Sequence, residues 1–76
     1  MAHALYQEAI EEMKKLISPG KKLKTKNDGY LYHILGIFDD MVAVKYYGVH
    51  KKRWFYEFTS LYWYYLLKED GKLIII

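Results

Sequence analysis

Cysteine is absent from this 76-residue chain. Disulfide bonds, cysteine-based zinc sites and thiol nucleophiles are therefore excluded. A chain of this length has room for one domain, and without such cross-links its stability must come from a packed core. The composition suits that requirement, since 53% of the residues are hydrophobic and nine are tyrosines. We expect residues 1–76 to form a single domain.

Long apolar runs are also missing. No stretch approaches the roughly 20 residues that a membrane-spanning helix needs. The N-terminal region carries acids where a signal peptide would have cations and a long apolar stretch. We therefore predict a cytoplasmic protein that does not enter a membrane. Only one Asn and one Gln occur, beside many Lys, Glu and Ile, which is a composition found in thermophilic proteins. An AT-rich coding sequence would give a similar bias.

No combination of residues in the sequence is typical of an active site. His33 lies in an apolar run without a Ser, Cys or acid at a catalytic spacing. Asp39 and Asp40 are adjacent, and the chemistry of a tight turn explains both, so they do not indicate a metal site. The glycines do not form a phosphate-binding loop. We predict a non-enzymatic protein without a metal or a cofactor.

Residues 4–17 are predicted to form an amphipathic helix. Apolar residues recur there at helical spacing, and charged residues take the other side. The helix should end at Ser18-Pro19-Gly20, because proline disfavours helical backbone at the preceding residue and glycine permits a turn. The side chains expected to be buried against the sheet are Leu5, Ala9, Met13 and Leu16.

After Gly20 the apolar pattern alternates, which predicts strands separated by short turns. One helix followed by short meandering strands favours a mainly β protein of the α+β class. We expect residues 21–76 to form a small SH3-like or OB-like barrel, or a strongly bent antiparallel sheet of five to six strands. A flat sheet with one helix across it is the competing architecture. The strands are predicted at 21–26, 30–38, 41–47, 53–59, 61–68 and 72–76.

The segment LYWYYLLK, residues 61–68, permits two interpretations. Tyr and Trp favour strands, and a strand here would form a last hairpin with the C-terminal residues. Ser60 before it and Gly71 after it are, however, typical of the two ends of a short helix. We favour the strand because of its aromatic content.

Positive charge is concentrated in the middle of the chain. Residues 21–56 carry a net charge of +5, whereas the segments before and after them carry −1 each. In HKKRWFYEF, residues 50–58, three consecutive cations run directly into three aromatics. Basic residues next to aromatic ones are typical of surfaces that contact phosphates and stack on bases.

The third and fourth predicted strands are expected to pair across a loop at 48–52. The simplest register places Tyr47 opposite Arg53 and Lys45 opposite Phe55, which puts these four side chains on one exposed face. Because side chains alternate along the fourth strand, its core-facing residues are then predicted to be Trp54, Tyr56 and Phe58.

The predicted binding face combines this hairpin with the basic strand at 21–26. Cations at the loop tip would reach phosphates, and the exposed rings would stack on bases. An alternative explanation for the lysines of 21–26 is that they keep an edge strand soluble and prevent edge-to-edge pairing. The candidate site residues are Lys22, Lys24, Lys26, Lys45, Tyr47, Lys51, Lys52, Arg53 and Phe55.

The sequence therefore predicts a protein that binds nucleic acid, DNA or RNA, mainly through charge. The alternative function is a protein-interaction or homo-oligomeric module, because the C-terminal segments are apolar on both faces and a second subunit would cover them. The residues predicted to form that homodimer surface are Tyr62, Tyr64, Leu66, Ile74 and Ile76.

Overall fold

A computed structural model describes the backbone of residues 2–76 and the side chains of residues 5–76. The chain is mostly β, as predicted, but it contains a second helix that was not expected. Neither helix in this part of the chain has the length and apolar character needed to cross a membrane. In chain order the elements are α1 (Ala2–Leu16), β1 (Lys22–Thr25), β2 (Leu31–Phe38), β3 (Met41–Gly48), β4 (Arg53–Ser60), α2 (Leu61–Glu69) and β5 (Leu73–Ile75).

The five strands form one antiparallel sheet in the order β4-β3-β2-β1-β5. β4 and β5 are its edges and do not pair with each other, so the sheet is open and the predicted barrel does not form. Closure would require the eight residues of β4 to pair with the three of β5. Instead, α2 carries the chain from the β4 edge back to β5, which pairs with β1.

Both helices pack on the same face of the sheet, and the core lies between them and the strands. Met13 and Ile17 of α1 are fully buried there, whereas the predicted burial of Leu5 is wrong, since 65% of its surface is exposed. At 100° per residue, Leu5 lies about a quarter turn away from the centre of the buried face. The core cluster consists of Ile10, Met13, Ile17, Leu23, Ile34, Val42, Val44, Leu61, Tyr64 and Leu67.

Residues 61–69 form helix α2, so the predicted strand at 61–68 is wrong. The buried side chains Leu61, Tyr64 and Leu67 recur every three residues. That spacing places them on one side of a helix, whereas a strand would divide them between its two faces. Packing of this side against α1 and the sheet outweighs the intrinsic preference of Tyr and Trp for strands.

Ser60 and Gly71, the two residues typical of helix ends, do lie at the ends of α2. Ser60 is the N-cap residue, and its Oγ accepts a hydrogen bond of 3.1 Å from the Tyr62 N–H. Gly71 follows the helix with φ of 71°, a left-handed conformation that glycine adopts without steric cost. These caps satisfy backbone groups that a helix leaves unpaired at its ends.

The β3–β4 hairpin is paired one residue out of the predicted register. Gly48 belongs to β3 and pairs with Arg53, so the loop has four residues instead of five. Lys52 closes this loop with φ of 56°, and its N–H donates a hydrogen bond of 2.7 Å to the Gly48 carbonyl. Because side chains alternate along a strand, a shift of one residue moves every β4 side chain to the opposite face.

The helix-side face continues beyond the core as a cluster of aromatic rings. Phe55 stacks on Tyr46 at a centroid distance of 5.4 Å, and Tyr30 contacts Tyr46 at 4.9 Å. The predicted exposure of Phe55 beside Lys45 is therefore wrong. Gly48 makes room for this arrangement, since a Cβ at that position would overlap the Phe55 ring.

Candidate nucleic-acid interface

The second face of the sheet carries no helix, and we call it the open face. The register and the alternation of side chains assign its members, because residues paired across strands point to the same side. β2 has a β-bulge at Leu35, where its register with β3 shifts by one residue. Ser60 pairs with Met41 but turns its Oγ to the first turn of α2. The open face otherwise consists of Lys22, Lys24, Leu31, His33, Leu35, Gly36, Phe38, Met41, Ala43, Lys45, Tyr47, Trp54, Tyr56, Phe58, Ile74 and Ile76.

Exposed apolar side chains are concentrated on this face. Nine of the thirteen large hydrophobic side chains that are exposed among the described residues belong to it. Tyr56 and Phe58 each expose 67% of their surface, and Phe38 exposes 58%. Isolated exposed hydrophobics are ordinary, but nine on one face are a reason to take this face as the candidate site. The prediction that Trp54, Tyr56 and Phe58 form core is wrong.

A row of polar side chains crosses the middle of the open face. The register pairs Lys22 with His33, His33 with Lys45, and Lys45 with Tyr56, so the row spans four strands. Directly paired residues in an antiparallel sheet have Cβ atoms about 4.5–5.5 Å apart. The row therefore places two ammonium groups and an imidazole among the aromatic rings.

Trp54 is contacted by three side chains on the open face. The Lys45 Nζ lies 4.7 Å from the centre of the indole, within the range of a cation–π contact. His33 and Tyr47 meet the indole edge-on at centroid distances of 5.4 and 5.6 Å. At 42% exposure Trp54 still presents part of its ring to solvent.

A second aromatic pair lies at the other end of β4. Phe58 and Phe38 approach to a centroid distance of 5.9 Å. Gly36 leaves room for this pair, since a Cβ there would lie 3.2 Å from the Phe38 ring. Trp54, Tyr56 and Phe58 thus form a line of exposed rings along β4, repeating about every 6.6 Å because alternate strand residues are that far apart.

Charge is divided between the two sides of the sheet. The charged strand residues that point to the open face are Lys22, Lys24 and Lys45, and no Asp or Glu joins them in the described strands. Glu57 of β4 points to the helix side, where the Tyr46 hydroxyl donates to it at 3.1 Å. The other acids lie on the helices or in turns. An anionic ligand on the open face would therefore meet cations without facing a carboxylate on a strand.

Four of the nine predicted site residues lie on the open face, namely Lys22, Lys24, Lys45 and Tyr47. Lys51 and Lys52 are exposed at the hairpin tip, and Lys26 is exposed in the turn after β1. Arg53 and Phe55 belong to the helix side, where the Arg53 guanidinium lies 4.6 Å above the Phe55 ring. The predicted set is thus divided between the two faces and the tip.

Sequence reasoning missed the aromatic half of the open face, together with His33. The alternation of Trp54, Tyr56 and Phe58 was visible, but the face that they occupy depends on the length of the hairpin loop. Gly48 was the signal that could have corrected it, because a glycine at the end of a strand can make room for a neighbouring ring.

Tyrosines on the helix side have raised pKa values, either because they are buried or because they donate to acids. Burial raises the pKa of Tyr64 to about 12. A hydrogen bond of 2.6 Å to Asp40, the turn residue, raises the pKa of Tyr6. Both hydroxyls are therefore protonated at neutral pH. Among the described residues, no group of three His, Asp or Glu side chains is arranged to hold a metal ion.

Comparison of the chain with protein-family models, with curated proteins and with solved structures gives no match. The functional assignment therefore depends on the geometry and charge of the open face.

Proposed function

We propose that this protein binds single-stranded nucleic acid on the open face of its sheet, as a non-enzymatic module. The observation that carries the proposal is the line of exposed rings on β4 with lysines beside it and no carboxylate on the strands of that face. Stacking of bases on aromatic side chains, combined with cations that follow the backbone, is how proteins hold unpaired strands. A nucleic-acid partner also agrees with the cytoplasmic location predicted from the sequence.

The arrangement suggests a division of roles. Trp54, Tyr56 and Phe58 would each take a base, since successive rings are spaced for an extended chain. Lys22 and Lys45, on the row that crosses the face, would contact phosphates. Lys51 and Lys52 at the tip would add charge at one end of the site, in a peripheral role.

A single strand fits this face better than a duplex does. In a duplex the faces of the bases are covered by their neighbours, so exposed rings have nothing to stack upon. A broad sheet face also cannot enter the major groove, which admits a helix or a two-stranded ribbon. Duplex binding would use the cations alone and would be weaker by the stacking contribution of about 1–3 kcal/mol per base.

Self-association through the open face is the competing explanation for its apolar surface. Two copies packed face to face would bury Lys22, Lys24 and Lys45 on both sides without a strand carboxylate to pair with them, which is costly. The predicted homodimer surface is also not continuous. Tyr64 is buried in the core and Leu66 lies on α2, whereas Ile74 and Ile76 lie on the open face.

Trp54→Ala and Trp63→Ala provide a matched test. The two tryptophans have similar exposure, 42% and 49%, but Trp63 lies on α2, away from the open face. In a titration of labelled oligonucleotides, Trp54→Ala should weaken single-strand binding by roughly 5- to 100-fold. Trp63→Ala should bind like the wild type. Equal effects of the two substitutions would contradict the proposed site.

Salt dependence tests the role of the lysines. Changing Lys22, Lys24 and Lys45 together to Ala should reduce the slope of log affinity against log salt by up to about 2, since each phosphate contact on a single strand contributes about 0.7. Changing Lys14 and Lys15 of α1 should leave the slope nearly unaltered. Absence of wild-type binding to single strands at about 50 mM salt would overturn the proposal, because charge-driven binding is strongest at low salt. A concentration-dependent dimer that buries the open face would then replace it.

A further inference from the structure

The edge of the sheet at β4 is long and regular. Its eight residues pair with β3 alone, and the register runs without a bulge from Met41–Ser60 to Gly48–Arg53. Proteins usually shield such edges with proline, bulges or very short strands, because unpaired backbone groups there can pair with another chain. The opposite edge follows that rule, since β5 has only three residues. β4 has no proline, bulge or shortening, and its two charged residues, Arg53 and Glu57, are of opposite sign and so do not repel a second copy.

The unpaired backbone groups of β4 can be identified. The Leu61 N–H donates to the Asp40 carbonyl at 2.8 Å, one pair beyond the Met41–Ser60 pair and in the same register. Hydrogen-bonded and non-hydrogen-bonded pairs alternate in an antiparallel ladder. Alternate residues of β4, counted back from Leu61 to Arg53, therefore bond to β3. The residues between them, Trp54, Tyr56 and Phe58, direct their N–H and C=O groups away from β3, towards the free edge.

The side chains of β4 are self-complementary about Phe55. A twofold axis through Phe55, perpendicular to the sheet, aligns two copies of β4 antiparallel. It pairs Trp54 with Tyr56 of the second copy through their free backbone groups. It also sets Arg53 opposite Glu57 of the second copy, twice, on the helix side, where both side chains are exposed. A register centred on Tyr56 also satisfies the backbone but sets Arg53 opposite Thr59.

We infer that two copies of this chain associate through β4 to form a ten-stranded sheet centred on Phe55. The twofold axis keeps both helical layers on one side, so the two open faces join into one surface. Tyr56 then pairs with Trp54 of the second copy, and the two aromatic lines lie side by side at the seam between the two β4 strands. The dimer does not depend on nucleic acid, so it stands or falls separately from the proposed function.

Charge reversal across the seam provides the test, with mass measured by light scattering on size exclusion without nucleic acid. The wild type should reach the dimer mass between about 1 µM and about 1 mM protein. Arg53→Glu and Glu57→Arg should each raise the dissociation constant by roughly tenfold, because two like-charge pairs replace two opposite ones. The double variant with both reversals should return to within about threefold of the wild type.

Two further measurements isolate the seam. Lys15→Glu makes the same change in net charge as Arg53→Glu, but on α1, and should leave the dissociation constant unaltered. Amide exchange at Trp54 and Tyr56 should slow as the protein concentration rises, because their N–H groups become paired. A wild type that stays monomeric throughout overturns the inference. The inference is also overturned if the single reversals leave the dissociation constant unchanged, or if the double reversal does not restore it.

Discussion

The two faces of the sheet contain similar aromatic residues but give them different partners. On the helix side the Tyr46 and Tyr32 hydroxyls donate to the carboxylates of Glu57 and Asp28. On the open face Trp54 lies against the Lys45 ammonium group. The helix-side rings that donate to acids help to hold the covered side together, whereas the exposed Trp54 ring has a lysine beside it and no carboxylate on the strands of its face. Aromatic content alone therefore does not distinguish a core from a binding site.

The largest expected effect comes from placing a charge on the covered side. Met13 is fully buried between α1 and the sheet. Met13→Asp should cost several kcal/mol, against a total stability of roughly 5 kcal/mol for so small a domain, and should unfold it. Circular dichroism during heating would show this. Leu5→Asp on the same helix is the control and should melt within a few degrees of the wild type, because Leu5 is exposed; two equally unfolded variants would refute the described packing.

The next largest effect is expected at alkaline pH, where a buried tyrosine of the helix side should make the protein less stable. Burial raises the pKa of Tyr64 to about 12, above the value of about 10 in an unfolded chain. The folded state therefore holds this proton more tightly, and its stabilising contribution is full below pH 10 and is lost as pH rises towards 12. The loss of stability is about 2–3 kcal/mol, because the pKa of Tyr64 differs by about two between the folded and the unfolded chain. Denaturant melts at pH 9 to 12 would measure it, and Tyr64→Phe should flatten the decline.

Phe55 and Tyr56 are adjacent in the chain and lie on opposite faces. Phe55→Ala should lower stability by about 1–2 kcal/mol, because a half-buried ring stacked on Tyr46 is lost. Tyr56→Ala should hardly change the melting temperature but should weaken single-strand binding by about 1 kcal/mol or more. Melting curves and oligonucleotide titrations on both variants would check this. The reverse assignment of effects would show that the register of β4 is wrong.

The smallest expected effect concerns Ser60, the last residue of β4 and the N-cap of α2. Ser60→Ala removes the side-chain oxygen that caps α2 and should cost about 1 kcal/mol. Ser60→Gly should cost only a few tenths of that, since glycine is also tolerated at this position. Thermal melts would compare the two variants. Neither should alter oligonucleotide affinity, because the cap supports the helix layer and not the open face.

Much of the local structure was predictable from the sequence. The period of the apolar residues indicated α1 and the strands up to β4, and the turn sequences marked their ends. Lys22 and Lys24 share one side of β1, and Lys45 and Tyr47 share one side of β3, because alternate residues of a strand point the same way. Arg53 and Phe55 were grouped with them wrongly. The reason is that their side depended on the pairing of two strands and not on either strand alone.

Three features follow from local chemistry and spacing and could be read from the residues alone: the cationic middle of the chain, the end of α1 before Ser18-Pro19-Gly20, and the alternation within β4. Which face of β4 meets solvent depends on how the strands pair. A strand has a period of two, so one residue in the hairpin loop exchanges the faces completely. Lys52 and Gly48 set that count by closing a four-residue loop beside the Phe55 ring. Packing against α1 likewise decided that residues 61–69 are helical, since the apolar spacing fits a buried helix while the residue types favour a strand.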